Sequence, residues 1–180
     1  MRKTTSMILA ALFAALTAVG AFLRIPTPVS SFTLQTLFTA MAAVLLGRRW
    51  GAVSQIVYVL LGLAGLPVFT NGGGLGSVLQ PTFGFLLGLP PMAWVIGFMT
   101  ERWGTTFGSI CLACLVGTGV LYLIGLPYMH GILAGYLNRD WSFWQTLVSG
   151  MLLFLPTDLL KIGVTALLCS KLAPRLSHSL

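Results

Sequence analysis

The sequence predicts an all-α, polytopic membrane protein, a bundle of six transmembrane helices, on three observations. Of its 180 residues, 57% are hydrophobic and 7% are charged, whereas a soluble domain carries about 25% charged residues. The apolar residues form long runs that prolines, glycines and basic residues interrupt. At this length we expect a single membrane domain over residues 1–180.

Each predicted helix corresponds to one apolar run, since about 20 such residues cross a bilayer. The six runs are Met7–Leu23, Phe32–Leu46, Gly51–Leu66, Pro81–Met99, Thr105–Leu126 and Thr146–Cys169. The first run resembles a signal peptide, but a first helix can direct its own insertion, and we expect it to be retained. The second and third are short, so we expect them to tilt or to be shielded by neighbours. Helix ends are expected at Gly47-Arg48-Arg49, Pro67, Glu101-Arg102 and Pro127.

The basic residues predict the orientation of the bundle. With both termini in the cytoplasm, seven basic residues lie on the inner side and two on the outer side, as the positive-inside rule requires. The inner set is Arg2, Lys3, Arg48, Arg49, Arg102, Lys171 and Arg175, and the outer set is Arg24 and Arg139. Because these residues form no continuous basic stripe, we do not expect a nucleic-acid partner.

Asp158 and Lys161 lie within the last apolar run. A charge at the centre of a membrane helix costs at least about 2.5–3.5 kcal/mol on insertion scales, and the i, i+3 spacing puts both residues on one helix face. We therefore predict a ligand site, in which Asp158 accepts N–H donors and Lys161 meets a carboxylate. The alternative is a salt bridge with a purely structural role, which only fixes how the helices pack. Pro156 is expected to kink this helix and to open space beside the pair.

Two further segments are predicted to reach the same outer side. Thr33, Gln35 and Thr36 begin the second helix, and we predict that all three contribute to the ligand site. The alternative for Thr33, or for Ser31, is a role as the N-cap of this helix. The loop Pro67–Gln80 is uncharged and contains Gly72-Gly73-Gly74. It is either a flexible link or a lid, and its apolar residues favour a lid that folds back onto the bundle.

Small residues recur every fourth position in the first helix. Ala10, Ala14 and Ala18 form one row, and Ala11 and Ala15 form the next. Such rows allow close approach of helices in lipid, either within the chain or onto a partner membrane protein.

The sequence has no metal cluster, catalytic set or nucleotide-binding signature, so we expect neither an enzyme nor a metal site. Cys111-x-x-Cys114 has redox spacing, but no second cysteine pair or histidine cluster accompanies it, and packing is the favoured interpretation.

Four stretches taken together resemble the BioY family, the biotin-capturing S components of energy-coupling-factor (ECF) transporters. They are Phe32–Thr36, Gly65–Phe69 with the glycine-rich loop, Gln80–Gly88 and Pro156–Lys161. The resemblance implies a six-helix bundle in the bacterial cytoplasmic membrane that binds biotin near its outer face and needs no cofactor. It implies a transmembrane T component and two ABC-type ATPases as partners; a solitary transporter, as a homo-oligomer, is the variant.

The resemblance also implies functional residues. Asp158, Lys161 and Asn71 would bind biotin, the loop at Gly73 would close over it, and the first-helix alanines would dock on the T component. Gln80 and Phe83 depart from glycines of the family pattern. No arginine lies between Arg49 and Arg102, so Lys161 is expected to be the main cation for the carboxylate.

Two other functions stay open at this point. An ion-coupled carrier for a small carboxylate vitamin would use Asp158 as a proton relay, although a single membrane carboxylate and the lack of an inverted repeat argue against it. A purely structural subunit would bind no ligand at all.

Overall fold

The structure, a computed structural model, describes residues 3–26 and 30–179, with side chains through residue 174. Arg2 and the side chain of Arg175 therefore lie outside the described residues. The helices are α1 (Lys3–Phe22), α2 (Gln35–Leu63), α3 (Phe83–Trp103), α4 (Phe107–His130), α5 (Phe143–Leu147) and α6 (Leu155–Ser179). The prediction of a mostly helical, multi-span chain is confirmed.

Five helical stretches of the described chain are long and apolar enough to cross a membrane. They are Lys3–Phe22, Gln35–Leu63, Phe83–Trp103, Phe107–Tyr136 and Phe143–Pro174. The count is five rather than the predicted six because the second and third runs join in α2.

The chain nevertheless reverses within α2, at Gly47. This glycine has φ 77° and ψ 178°, a conformation that other residues avoid. A Cβ on Gly51 would lie 2.7 Å from the Cα of Ala43, whereas residues eight apart on a straight helix are separated by about 12 Å. Thr39 Oγ1 likewise lies 2.9 Å from Gln55 Oε1. α2 is thus a hairpin of two arms, residues 35–46 and 48–63.

Glu101 holds this reversal together. Its Oε1 accepts a hydrogen bond from the backbone N–H of Arg48 at 2.8 Å, and its Oε2 lies 3.2 Å from Arg48 Nε. A Cβ on Gly97 would meet the backbone N of Arg48 at 2.4 Å. α3 therefore packs closely against the turn.

The chain before α2 forms a short β-ribbon that the all-α prediction missed. Strand β1 (Arg24–Pro26) pairs antiparallel with β2 (Ser31–Thr33), with Arg24 opposite Thr33. Thr33 and Ser31 are therefore strand residues, and the predicted N-cap is wrong: Leu34 occupies the cap position without a side-chain hydrogen bond. Thr33 donates its hydroxyl to Gln35 Oε1 instead, at 2.9 Å.

The two proline predictions also need correction. α4 runs through Pro127 to His130 and continues as a π-helical turn, and the carbonyl of Pro127 accepts a hydrogen bond from the N–H of Gly131, so the helix does not end at this proline. Pro156 is not interior but lies in the first turn of α6, where its missing N–H costs nothing. The irregular backbone beside Asp158 and Lys161 is instead the π-helical segment Val148–Leu152 and the turn that follows it.

Packing leaves an opening at one end of the bundle. α3 packs between α2 and α4, α1 packs on α2, and α6 contacts both α2 and α4. Large side chains such as Tyr58, Met92, Ile96 and Ile110 are fully buried between these helices, as is the small Cys114. A cavity lies at the end that carries the β-ribbon, which we call the ribbon end.

Candidate ligand-binding site

A cavity of about 430 Å³ lies at the ribbon end, within the range of about 300–1,000 Å³ that is usual for small-molecule sites. One part of its wall is polar and comes from the ribbon, α2, the glycine-rich loop, α4 and α6. Its polar side chains include Arg24, Thr33, Gln35, Thr36, Thr70, Asn71, Gln80, Tyr122, Asp158 and Lys161. The apolar wall is formed by Phe69, Phe85, Leu86, Leu89, Leu121 and Phe154.

Asp158 and Lys161 form an ion pair on this wall. Lys161 Nζ lies 2.9 Å from Asp158 Oδ1, and the two side chains are 13% and 10% exposed. Tyr122 donates its hydroxyl to the other carboxylate oxygen, and Lys161 also donates to Thr36 Oγ1 at 3.2 Å. Both charges are thus shielded from bulk water and border one cavity, as a ligand site needs; their binding role stays a prediction.

Gln35 belongs to a buried chain of hydrogen bonds. Its Oε1 accepts from Thr33, and its Nε2 donates to the hydroxyl of Tyr58 at 2.6 Å. Tyr58 in turn donates to the carbonyl of Val68 at 3.0 Å. The first arm of α2 is therefore tied to the second arm and to the loop, which fixes the cavity wall at Gln35.

Arg24 joins the ribbon to the glycine-rich loop. Its guanidinium donates to the carbonyl of Thr70 at 2.5 Å and to Asn71 Oδ1 at 2.9 Å. Asn71 Nδ2 lies 3.4 Å from Gln80 Oε1. The cavity is therefore lined by a second cation besides Lys161, which sequence reasoning missed because it placed Arg24 among the outer surface charges.

Gly73 is not among the residues that line the cavity, and its predicted role stays a prediction. A Cβ there would lie 2.0 Å from the carbonyl oxygen of Leu66 and 2.9 Å from that of Gly62, so the residue packs on the end of α2. The N–H of Gly74 donates to the same Gly62 carbonyl at 2.7 Å. The loop is thus anchored to the bundle, and its residues Phe69–Asn71 reach the cavity.

The alanine rows of α1 face in different directions. Ala10 and Ala14 are 4% and 3% exposed and pack in the core beside α2. Ala11 and Ala15 are exposed. Ala10 and Ala14 therefore pack internally and cannot contact a partner in this arrangement, which leaves Ala11 and Ala15 as the accessible row.

Tyr122 is the other residue that sequence reasoning missed. It lies within the apolar run of α4, where a single tyrosine suggests ordinary packing, and only the fold brings it to Asp158.

Among the described residues, no group of three or more His, Cys, Asp or Glu side chains is placed to hold a metal ion.

This arrangement suits one kind of ligand. The lining of the cavity combines an anion, two cations and amide groups with aromatic and aliphatic side chains. A small molecule with an apolar body, N–H donors and an acidic group would satisfy both kinds of side chain.

Comparison with known proteins agrees with this chemistry. The model of the BioY family matches residues 1–178. The chain is 42% identical over 172 residues to the probable biotin transporter BioY of Lysinibacillus sphaericus, which covers 95% of this chain and 88% of that relative. It is 34% identical over 171 residues to the biotin transporter BioY of Thermotoga maritima, with 92% and 94% covered. A crystal structure of the S-component for biotin from an ECF-type ABC transporter matches with a TM-score of 0.82 and 27% identity, over 95% of this chain and 92% of that one.

Proposed function

The chain belongs to the BioY family, and on that premise we propose that it serves biotin uptake by capturing the vitamin in the cavity at the ribbon end. BioY proteins are transporters rather than enzymes. The observation that carries the proposal is the shielded Asp158–Lys161 pair in a cavity that is otherwise lined by both polar and apolar side chains. Biotin has an apolar thioether ring and chain between a ureido group and a carboxylate, so it complements both kinds of side chain.

The spacing of the pair decides how biotin lies in the cavity. Lys161 Nζ is 2.9 Å from Asp158 Oδ1, whereas a bicyclic ring and an aliphatic chain separate the two polar ends of biotin. The pair therefore cannot hold both ends at once. In our proposal Asp158 accepts a ureido N–H and Lys161 donates to the ureido oxygen, while Arg24 at the ribbon takes the carboxylate.

The passage of the chain through the membrane follows from the α2 hairpin. If each arm of α2 crosses separately, the chain makes six passes, and both termini lie at the end opposite the ribbon. That end carries Arg48, Arg49, Arg102 and Lys171, so we assign it to the cytoplasm. The cavity then opens outward. That the membrane is the bacterial cytoplasmic membrane is a proposal that rests on the membership of the BioY family.

Delivery of biotin needs further chains in this proposal. A T component would dock on the exposed face of α1 at Ala11 and Ala15. Two ABC-type ATPases would use ATP to drive the delivery of biotin. The structural similarity to an S-component supports this assignment. A homo-oligomer that works without the module is the variant.

Uptake by intact cells tests the proposal. The protein is expressed in a biotin auxotroph that lacks its own biotin transporter. It is expected to raise the uptake of labelled biotin, whereas the Asp158→Asn variant is expected to leave that uptake unchanged. Co-expression of a T component and ATPases separates coupled from solitary operation. Uptake that stays at background in every case contradicts the proposal, and uptake that a protonophore abolishes at constant ATP indicates an ion-coupled carrier instead.

Arg24 provides a sharper prediction about orientation. Arg24→Gln is expected to weaken binding of biotin about tenfold, because a hydrogen bond to a charged group is lost. Binding of biotin amide, which has no carboxylate, should change much less. Arg139→Gln is the matched control, since Arg139 is exposed and does not line the cavity. Calorimetric titration measures all of these affinities, and equal losses for biotin and its amide would place the carboxylate elsewhere.

A further inference from the structure

A second, much smaller void lies against the same ion pair. Its volume is about 10 Å³, and its lining includes Thr36, Thr118, Asp158, Lys161 and Thr165. Thr36, Asp158 and Lys161 also line the large cavity, so the pair borders both spaces. A volume near 10 Å³ is about the minimum that one water molecule needs.

The hydroxyl of Thr165 is fully buried and has no hydrogen-bond partner within the described chain. Buried helix threonines commonly bond to the carbonyl four residues earlier, as Thr39 and Thr100 do here at 2.9 and 3.0 Å. A buried hydroxyl without a partner is costly, so Thr165 indicates a partner outside the protein chain.

Lys161 has one hydrogen-bond donor to spare beside the same void. An ammonium group carries three N–H donors, and the described contacts of Lys161 use two of them, on Asp158 and Thr36. Thr165 lies four residues after Lys161, one turn further along the same face of α6. A donor and an unpartnered hydroxyl therefore meet at a space of the right size.

We propose that one ordered water occupies this void, accepts a hydrogen bond from Lys161 Nζ and donates to the hydroxyls of Thr165 and Thr118. Three polar partners are typical for a buried water. Thr165 is then a positioning residue, because it acts on the ligand only through the ammonium that the water orients. The effect on biotin rests on the proposed function; the water site itself does not.

Thr165→Val tests the site, because valine keeps the shape and removes the hydroxyl. If the water is present, the variant without ligand should unfold roughly 2–4 °C lower than the unaltered protein, the shift expected for one lost hydrogen bond at this size. It should also bind biotin about fivefold more weakly, and Thr165→Ser should restore both values. Thr100→Val is the control, since its hydroxyl bonds within its own helix and its biotin affinity should not change.

The sign of the stability change decides the outcome. An unchanged or raised unfolding temperature in Thr165→Val overturns the proposal, because removing an unpartnered hydroxyl is neutral or favourable. If that variant does not fold, the unfolding temperature of Thr118→Val is compared with that of the unaltered protein instead, and an unchanged or raised value again overturns the proposal. Because the unfolding temperature is measured without biotin, failure of the unaltered protein to bind biotin would reject the proposed function and leave this test intact.

Discussion

Replacing Asp158 with asparagine is expected to weaken biotin binding roughly tenfold or more, because a charge-assisted hydrogen bond to the ureido group is lost. Lys161→Ala should have an effect of similar size. Each single change also leaves a buried charge without its partner, which costs about 3–5 kcal/mol of stability in buried pairs. Affinity by calorimetry and apparent unfolding temperature without ligand should therefore both fall.

A double variant distinguishes a ligand-binding role of the ion pair from a purely structural role. In Asp158→Leu with Lys161→Met both charges are replaced by apolar groups, so stability should recover in part. The recovery should be incomplete, because the hydroxyls of Tyr122 and Thr36 lose their partners. Binding of biotin should not recover, because no group remains to meet the ureido end. If the double variant regained stability and affinity together, or if both single variants bound biotin as the unaltered protein does, the pair would be structural only.

Leucine substitutions in α1 are expected to have different effects on stability and uptake in the two alanine rows. Ala14 is buried beside α2, so Ala14→Leu should overpack the core and destabilise the protein by about 1–3 kcal/mol. Ala11 is exposed, so Ala11→Leu should leave stability and biotin binding unchanged. If α1 docks on a T component through the exposed row, Ala11→Leu should still impair ATP-driven uptake, because a large side chain prevents close approach of helices.

Leu12→Ala serves as the control for this comparison, since Leu12 is an exposed residue of the same helix outside the alanine row. Its stability, biotin binding and coupled uptake should all stay near those of the unaltered protein. Normal coupled uptake in Ala11→Leu would exclude this face as the docking surface. A stable Ala14→Leu protein would contradict the internal packing of that row.

Features that depend on local chemistry could be predicted from the sequence. Asp158 and Lys161 are conspicuous in an apolar run, and their spacing alone puts them on one helix face. The break at Gly47-Arg48 was also predictable, because a glycine followed by two arginines interrupts an apolar run. The mostly helical class follows from composition in the same way.

Features that depend on tertiary contacts could not be predicted. Each strand of the ribbon has only three residues, too few for an alternating pattern, so Arg24 looked like a surface charge. The alanine rows are chemically alike, and only the packing of α1 on α2 decides which one is buried. Pro127 looked like a helix end because proline usually interrupts a helix, and the sequence does not reveal that α4 continues through it.

The most direct test of the central claim is equilibrium binding of labelled biotin to the purified protein alone, in detergent and without any partner chain. We predict saturable binding of one biotin per chain, which is displaced by unlabelled biotin and is lost in folded Asp158→Leu, Lys161→Met protein. A folded protein that shows no saturable binding, or a double variant that binds as tightly as the unaltered chain, would contradict the claim that biotin occupies the cavity beside this ion pair.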